Sequence, residues 1–288
     1  MPKAYLKPAR ERRVEMGHPW IFRSDIDRVE TSAQPGDVVD VHAARGRFLG
    51  RAYYNPASMI TLRMLTRHDE PIDRDFFYRR VQQAYDYRKA FCDLDSCRLI
   101  FAESDFLPAL IVDKFADVCV MQSLALGIDR WREVLLDAVM DITGCRGIYR
   151  RDDVPVRELE GLEQVTGFAR GHFLTLVEMR ENGVRFLVDV AHGQKTGFFL
   201  DQKENRASLA PIVRGREVLD CFTHTGSFAL HAASYGASHV TGVDVSEEAC
   251  AVARRNAELN GFDNVEFVAE NAFDLLRPYY DEKRRFDV

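Results

Sequence analysis

Two acidic residues and one glycine carry the chemistry that the sequence suggests, in the stretch LDCFTHTGSFALHAASYGASHVTGVDVS, residues 219–246. Asp220 lies in a first apolar run, Gly226 is the one glycine of the turn that follows, and Asp244 closes a second apolar run 18 residues later. A dinucleotide-binding turn usually follows G-x-G-x-x-G, which lets a pyrophosphate reach backbone N–H groups. The single glycine therefore favours a nucleoside cofactor without a phosphate.

S-adenosylmethionine is a cofactor of that kind. One close approach of its atoms to the backbone at Gly226 suffices, and the carboxylate of Asp244 accepts hydrogen bonds from both ribose hydroxyls. Two alternatives stay open at this point. The stretch could belong to a nucleotide-sugar or dinucleotide enzyme with a degenerate turn, or Asp244 could only cap the following helix.

The elements that position these residues form a strand–helix–strand unit of a Rossmann-like α/β fold. The pattern predicts strands at EVLDCF, HVTGVDV and VEFVA, with helices at GSFALHAASYG and SEEACAVARRNAELNG. Ser246 is placed to cap the second helix and Gly261 to end it. Ligands of such sheets bind beyond the carboxyl ends of the strands, so we expect Asn271, which follows the third strand, to read the adenine amino group.

The rest of the chain predicts two further regions. Residues 1–70 read as short strands separated by turns and predict a small β-barrel. Residues 71–180 predict a helical linker and a small mixed α/β domain, and residues 181–288 the Rossmann-like domain. Asn182 and Gly183 stand between two alternating apolar runs and predict a type I′ hairpin.

Composition excludes several classes of protein. The 288 residues are 46% hydrophobic with a net charge of −6, and no apolar run approaches the ~18 residues that span a bilayer. Six cysteines without a CxxC motif indicate neither a disulfide framework nor a metal site. We therefore expect a cytoplasmic protein with no metal and no membrane partner, and we keep a homodimer open.

Several motifs together resemble those of the ribosomal RNA cytosine-C5 methyltransferases that carry an N-terminal PUA domain. They are HGQKTGFFLDQKENR, LDCFTHTGSFA, VTGVDVSEEACAVARRNAELN and FVAENAFDLL, preceded in the same order by GHPWIFRSDI, GRFLGRAYYNP and RLIFAESDFLPALIVDKF. The resemblance covers nearly the whole chain. It implies a PUA barrel, an α/β middle domain and a class I methyltransferase domain that methylates C5 of a cytosine in large-subunit ribosomal RNA.

The resemblance also implies which residues bind the cofactor, and basic clusters in residues 1–70 indicate which residues contact the RNA. The implied S-adenosylmethionine site comprises Phe222, Thr223, Gly226, Asp244, Asn271 and Ala272, with Lys195 and Gln202 closing over the methionine end. Residues 1–70 hold 12 Lys and Arg against 9 Asp and Glu, an excess that suits contact with phosphates. The arginines expected to contact RNA are Arg10, Arg12, Arg13, Arg23, Arg47 and Arg51.

The chain departs from the family at RRFDV, its last five residues. Members of the family continue from a fourth strand into Asp-Pro-Pro and a nucleophilic cysteine that adds to C6 of the base. We expect a chain truncated at its C-terminus, with the catalytic residues beyond Val288 and with Cys221 as a structural residue. A guanine-N methyltransferase of ribosomal RNA, or a non-catalytic RNA-binding module with a residual cofactor site, are the alternatives.

Overall fold

The computed structural model describes all residues from Met1 to Val288. Contacts within the chain divide it into two compact units, residues 1–174 and residues 175–288. The finer division into regions 1–70, 71–180 and 181–288 stays a prediction.

A six-stranded sheet forms the N-terminal part of the first unit. Its elements are β1 (Lys3–Leu6), α1 (Glu11–Glu15), β2 (Trp20–Ile21), β3 (Ile26–Val29), β4 (Val38–His42), β5 (Phe48–Tyr54) and β6 (Leu62–Thr66). The strand order is β2-β6-β5-β4-β1-β3, antiparallel except where β1 pairs with β4. Alternation of apolar residues along β4 buries Val39 and Val41 in the core of this sheet.

A five-stranded sheet with helices completes the first unit. Its elements are α2 (Arg74–Phe91), β7 (Ser96–Phe101), a 3-10 helix (Ala102–Asp105), β8 (Leu110–Phe115), β9 (Val118–Ser123), α3 (Leu126–Asp129), α4 (Arg132–Thr143), β10 (Gly147–Asp152), α5 (Val156–Leu159) and β11 (Val165–Arg170). The strand order is β11-β10-β9-β8-β7. Asp73 caps α2 by accepting a hydrogen bond from the backbone N–H of Phe76 (3.0 Å), and Phe76 and Phe77 are fully buried in the core.

The second unit begins with the predicted hairpin. Strands β12 (Leu176–Glu181) and β13 (Val184–Asp189) pair antiparallel. The two residues between them have φ values of +49° at Asn182 and +86° at Gly183, as a type I′ turn requires. The prediction made from the Asn-Gly pair is confirmed.

A three-stranded parallel sheet forms the rest of the second unit. Its elements are a 3-10 helix (Leu200–Gln202), α6 (Lys203–Ala207), α7 (Ala210–Val213), β14 (Glu217–Cys221), α8 (Ser227–Ser234), β15 (His239–Asp244), α9 (Glu247–Asn260), β16 (Val265–Ala269) and α10 (Ala272–Asp281). The order is β14-β15-β16, with Asp244 opposite Ala269. The carboxyl ends of all three strands therefore meet at one edge.

The local signals for α9 are also confirmed. The side chain of Ser246 accepts a hydrogen bond from the backbone N–H of Ala249 (3.1 Å), and Gly261 ends the helix with φ +70°. At the other side of the sheet, the backbone N–H of Leu219 donates to the carbonyl of Val288 (2.9 Å), so the last residues lie along β14.

Candidate functional site

The turn after β14 has an unusual backbone. Phe222, His224 and Gly226 have φ values of +64°, +52° and +83°, so three of five consecutive residues are left-handed. Phenylalanine and histidine seldom adopt this conformation, and residues held in it often belong to functional sites. The turn folds back toward the second strand, because the backbone N–H of Thr223 donates to the carbonyl of Val243 (2.9 Å).

Asp220 fixes the turn to the helix that follows it. Its Oδ2 accepts hydrogen bonds from Oγ1 of Thr223 (2.6 Å) and from the backbone N–H of Ala229 (3.0 Å). Burial raises the pKa of Asp220 to about 6, although these two hydrogen bonds favour the charged form. The charge of Asp244 adds a smaller rise to this pKa.

Asp244 holds the same turn from the second strand. Its Oδ2 accepts a hydrogen bond from the backbone N–H of His224 (2.8 Å), and its Oδ1 accepts one from the backbone N–H of Ser246 (3.0 Å). A carboxylate oxygen has two acceptor sites, so each oxygen keeps one for a ligand. Asp244 is half-buried, which leaves those sites reachable at the edge of the sheet.

Gly226 is required by the packing of the protein itself. A Cβ built at this residue would lie 2.9 Å from Cζ of Phe267 and 3.1 Å from Cβ of Ala253, both inside the unit. The glycine is therefore required for packing between the turn, β16 and α9, and its φ of +83° also favours glycine. A close approach of the cofactor to the backbone at this residue stays a prediction.

Three exposed apolar side chains lie in the segments that follow the three strands at this edge. Phe222, Val245 and Phe273 are 63%, 77% and 73% exposed, and the rings of Phe222 and Phe273 lie 5.8 Å apart. Sequence reasoning named Phe222 but missed Val245 and Phe273. For Val245 the signal was its position directly after Asp244, the polar end of β15, where the chain leaves the core. For Phe273 the signal was an apolar residue in the first turn of the helix that follows the third strand.

The remaining residues of the third strand's end serve α10. The Oδ1 of Asn271 caps this helix by accepting a hydrogen bond from the backbone N–H of Phe273 (2.9 Å), and Ala272 is buried. The amide N–H groups of Asn271 stay at an exposed position. These N–H groups are free to donate to an acceptor nitrogen of adenine, whereas Oδ1 is already used by the helix cap. Contact with an adenine ring nitrogen is therefore favoured over the expected contact with the adenine amino group.

The segment before the parallel sheet lies alongside the turn. The ring of Phe199 meets that of His224 edge-on, with centroids 5.4 Å apart. Lys195 is exposed, and its Nζ lies 3.4 Å from Oδ1 of Asp201 and 4.5 Å from the ring centre of Phe199. Gln202 is half-buried and accepts a hydrogen bond from Nδ2 of Asn205 (2.8 Å).

A cavity of about 290 Å³ opens between this segment, the turn and α9. Polar residues that sequence reasoning did not select, His192, Gln194 and Thr225, line it together with Asp244. Lys195 and Gln202 are absent from its lining. The cavity thus brings Asp244 and the turn together with this segment. The residues of the segment that line it are neighbours of Lys195 and not the predicted Lys195 and Gln202 themselves.

A buried ion pair anchors the segment. Nε and Nη2 of Arg206 donate to the two carboxylate oxygens of Glu181 (2.6 and 2.9 Å), and neither side chain is exposed. The Nη2 also donates to the carbonyl of Phe199 (2.9 Å). The hairpin, through Glu181, therefore holds the residue whose ring contacts His224.

The arginines expected to contact RNA lie in the first unit and differ in availability. Arg10, Arg12, Arg13, Arg23 and Arg47 are exposed, and Arg47 pairs with Glu15. Arg51 does not fit the expectation. Its side chain is 14% exposed and is held by Asp40 (3.0 Å) and Asp69 (2.5 Å), so its guanidinium already has two carboxylate partners.

No group of three or more His, Cys, Asp or Glu side chains is arranged to hold a metal ion. No helix has both the length and the apolar character needed to cross a membrane.

Comparison with known proteins identifies the class of both parts of the chain. Residues 4–67 match the model of a PUA-like domain, and residues 162–281 match that of an S-adenosylmethionine-dependent methyltransferase. A solved structure from Streptococcus mutans, described as a SAM-dependent methyltransferase, superposes with a TM-score of 0.83 at 22% identity, covering 100% of this chain and 75% of that one. A second solved methyltransferase, complexed with SAH, gives a TM-score of 0.84 at 22% identity over 100% of this chain and 74% of that one. The fold is thus that of a class I S-adenosylmethionine-dependent methyltransferase with a PUA-like N-terminal domain.

Relatives at higher identity define the family. The ribosomal RNA large subunit methyltransferase I of Shewanella denitrificans is 44% identical over 292 residues, which cover 98% of this chain and 73% of the relative. That of Vibrio cholerae is 41% identical over 295 residues, covering 100% of this chain and 74% of the relative. The chain belongs to the ribosomal RNA large subunit methyltransferase I family, and its cofactor is S-adenosylmethionine.

Proposed function

We propose that the chain binds S-adenosylmethionine at the carboxyl edge of β14, β15 and β16 and that it serves methylation of C5 of a cytosine in large-subunit ribosomal RNA. The observation that carries the first part is that Asp244 ends β15 at the same sheet edge at which the exposed side chains of Phe222, Val245 and Phe273 follow the strands. A nucleoside needs acceptors for its ribose hydroxyls and apolar surface for its base, and this edge offers both.

Each predicted cofactor residue has a role in this proposal. The two open acceptor sites of Asp244 would accept from the two ribose hydroxyls, and the amide of Asn271 would donate to the base. Thr223, Gly226 and Ala272 shape the site through the backbone, since each is buried and packs inside the unit. Lys195 and Gln202, on the segment beside the turn, would hold the methionine end. The bound cofactor supplies a methyl group on a positively charged sulfur.

The substrate is inferred from the relatives and from the sequence motifs. The relatives are named as ribosomal RNA large subunit methyltransferases, and the N-terminal region matches a PUA-like domain. The exposed arginines of that region supply positive charge for phosphates. They are Arg10, Arg12, Arg13, Arg23 and Arg47.

Cytosine is inferred from the motif resemblance alone. C5 of cytosine is a weak nucleophile, and the family's chemistry activates it by adding a cysteine thiolate to C6. Cys221 is unsuited to this task, because burial raises the pKa of its thiol and the charge of Asp220 raises it further. The proposal therefore gives Cys221 no catalytic role.

The test is genetic, so that it reports on the protein in its own cell. The gene is disrupted in its host, and nucleosides of the large-subunit ribosomal RNA are mapped by mass spectrometry. We expect one 5-methylcytidine to disappear and to return with the wild-type gene but not with the Asp244→Ala variant. Loss of a methylated guanosine instead would show that the protein is a guanine-N methyltransferase. An unchanged set of methylated nucleosides would refute the proposal.

A further inference from the structure

A groove in the first unit carries chemistry that the cofactor site does not use. Two adjoining cavities, of about 520 and 650 Å³, share Arg80, Ser104 and Phe106 in their linings. The end of β6 and the residues after it line the first cavity, with Arg67 and His68. Helix α2 lines the second, with Tyr87 and Arg88. Together they form a continuous groove, here called the Arg80 groove.

The guanidinium of Arg80 is incompletely paired. It lies between the rings of Phe76 and Phe106, at 5.0 and 5.2 Å from their centroids. Its Nε is buried without a hydrogen-bond partner, its Nη1 donates to Oε1 of Gln83 (3.4 Å), and its Nη2 stands 3.9 Å from Oε1 of Glu70. Because Glu70 is a distant partner and one N–H is unbonded, this buried cation gains from a closer anionic ligand.

The net charge of the groove is positive. Arg67 is exposed and forms no ion pair. The two acidic residues of the linings already have cationic partners, because Oε1 of Glu103 lies 3.5 Å from Nη1 of Arg63 and Asp105 pairs with Arg88. The cations left for a ligand are Arg67 and Arg80.

Exposed rings stand beside these cations. Phe106 is 57% exposed and Tyr87 is 58% exposed, although aromatic side chains of this size usually bury their surface. Phe106 also has a left-handed backbone with φ +57°, which a bulky residue seldom adopts. Exposed rings interleaved with arginines provide stacking surfaces for bases and donors for phosphates.

The geometry points to a binding site for a single-stranded segment of RNA in the Arg80 groove, with phosphates at Arg67 and Arg80 and bases stacked on Phe106 and Tyr87. The inference rests on the proposed function, since it takes ribosomal RNA as the substrate. A single strand fits better than a duplex, because only unstacked bases present their faces to a protein ring. No arginine of the exposed set in residues 10–47 lines either cavity, so the groove would be an additional RNA contact.

The experiment measures fluorescence anisotropy of a labelled single-stranded oligoribonucleotide, with a duplex of the same sequence for comparison. The test variants are Arg67→Gln and Phe106→Asn, both at exposed positions, with asparagine chosen because it tolerates a positive φ. The matched controls are Lys89→Gln, an exposed cation on α2 outside the groove linings, and Leu159→Ala, a 72% exposed apolar residue of the same unit. Circular dichroism verifies that each variant is folded.

We expect Phe106→Asn to weaken single-strand binding about tenfold, because loss of one stacked base costs this order of affinity. Arg67→Gln should lower the slope of log affinity against log salt by about 0.7, the value for one phosphate of a single strand. Both controls should bind as the wild type does. The wild type should prefer the single strand to the duplex.

If the wild type binds RNA and both test variants bind it with unchanged affinity, the Arg80 groove is not an RNA-binding site. That result would leave the proposed function intact. No RNA binding by the folded wild type would overturn both. An acidic peptide is also tested as a competitor of the RNA. If the peptide binds at lower concentrations than the RNA does, and if Arg67→Gln and Phe106→Asn abolish its binding, the groove is assigned to a protein partner instead.

Discussion

The carboxylate of Asp244, at the end of the second parallel strand, accepts a 2.8 Å hydrogen bond from the backbone N–H of His224, in the turn after the first strand. This bond joins the two loops that border the cofactor edge, so one side chain both shapes the site and faces the ligand. Its loss should therefore affect cofactor binding more than the loss of any neighbouring acidic residue. The predictions below separate shaping of the site from contact with the ligand.

Gly226→Ala should lower the free energy of unfolding by about 3 kcal/mol, because it combines an unfavourable φ with a clash against Phe267. Gly215→Ala is the matched control, since its φ is +69° but a Cβ there meets nothing within 4 Å. The control should lose only about 1 kcal/mol. Urea denaturation measures both, and equal losses would show that packing against Phe267 does not require the glycine.

Asp220→Asn should change how stability depends on pH. The pKa of Asp220 is raised to about 6 from an ordinary value of 3.8, so the folded chain holds this proton more tightly than the unfolded chain. The contribution of this group to the wild-type free energy of unfolding is greatest below pH 4 and is lost as the pH rises through 6. Both hydrogen bonds go to Oδ2, which the amide oxygen of asparagine replaces.

We therefore expect the urea midpoint of Asp220→Asn, relative to the wild type, to rise between pH 4 and pH 7. Glu217→Gln, at an exposed position on the same strand, should show no such rise. A constant difference across that range would mean that the Asp220 carboxyl is not destabilised by its burial.

Phe273→Ala should weaken binding of S-adenosylmethionine about tenfold without changing stability. The side chain is 73% exposed, so its removal costs the fold little, whereas loss of a stacked ring costs a bound base about 1–3 kcal/mol. Tyr280→Ala on the same helix, 82% exposed, is the control and should bind as the wild type does. A loss of affinity in both variants would locate the effect in α10 rather than in the ring.

The double variant Arg12→Gln, Arg13→Gln should lower the slope of log RNA affinity against log salt by about 1.4, because each phosphate contact of a single strand contributes about 0.7. Arg51→Gln should leave the salt dependence unchanged and lower stability instead. Its removal leaves the carboxylate of Asp40, which is mostly buried at 17% exposure, without its partner. A flattened slope in Arg51→Gln would restore this residue to the RNA set.

Much of the second unit could be predicted from local sequence because its signals are short-range. Asn182 and Gly183 determine their own turn, and Ser246 and Gly261 mark the ends of α9, each through its nearest neighbours. The position of Asp244 followed from the rule that strand ends meet at one edge of a parallel sheet.

Other features depend on residues distant in sequence and could not be predicted. Phe267 makes Gly226 necessary, and nothing around Gly226 in the sequence indicates that contact. Arg51 stood in a basic cluster, yet its partners Asp40 and Asp69 come from outside that cluster. Counting charges identifies a basic region but does not reveal which cations are already paired.

The most direct test of the central claim is calorimetric titration of the chain with S-adenosylmethionine, beside Asp244→Ala and the charge-matched control Asp263→Ala. Asp263 is exposed and precedes β16, at the opposite end of that strand from the cofactor edge. We expect Asp244→Ala to bind at least about 100-fold more weakly, since each hydrogen bond to a charged acceptor contributes about 1.5–3 kcal/mol. Asp263→Ala should bind as the wild type does. Wild-type affinity in a folded Asp244→Ala variant would contradict the assignment of the cofactor site to this edge.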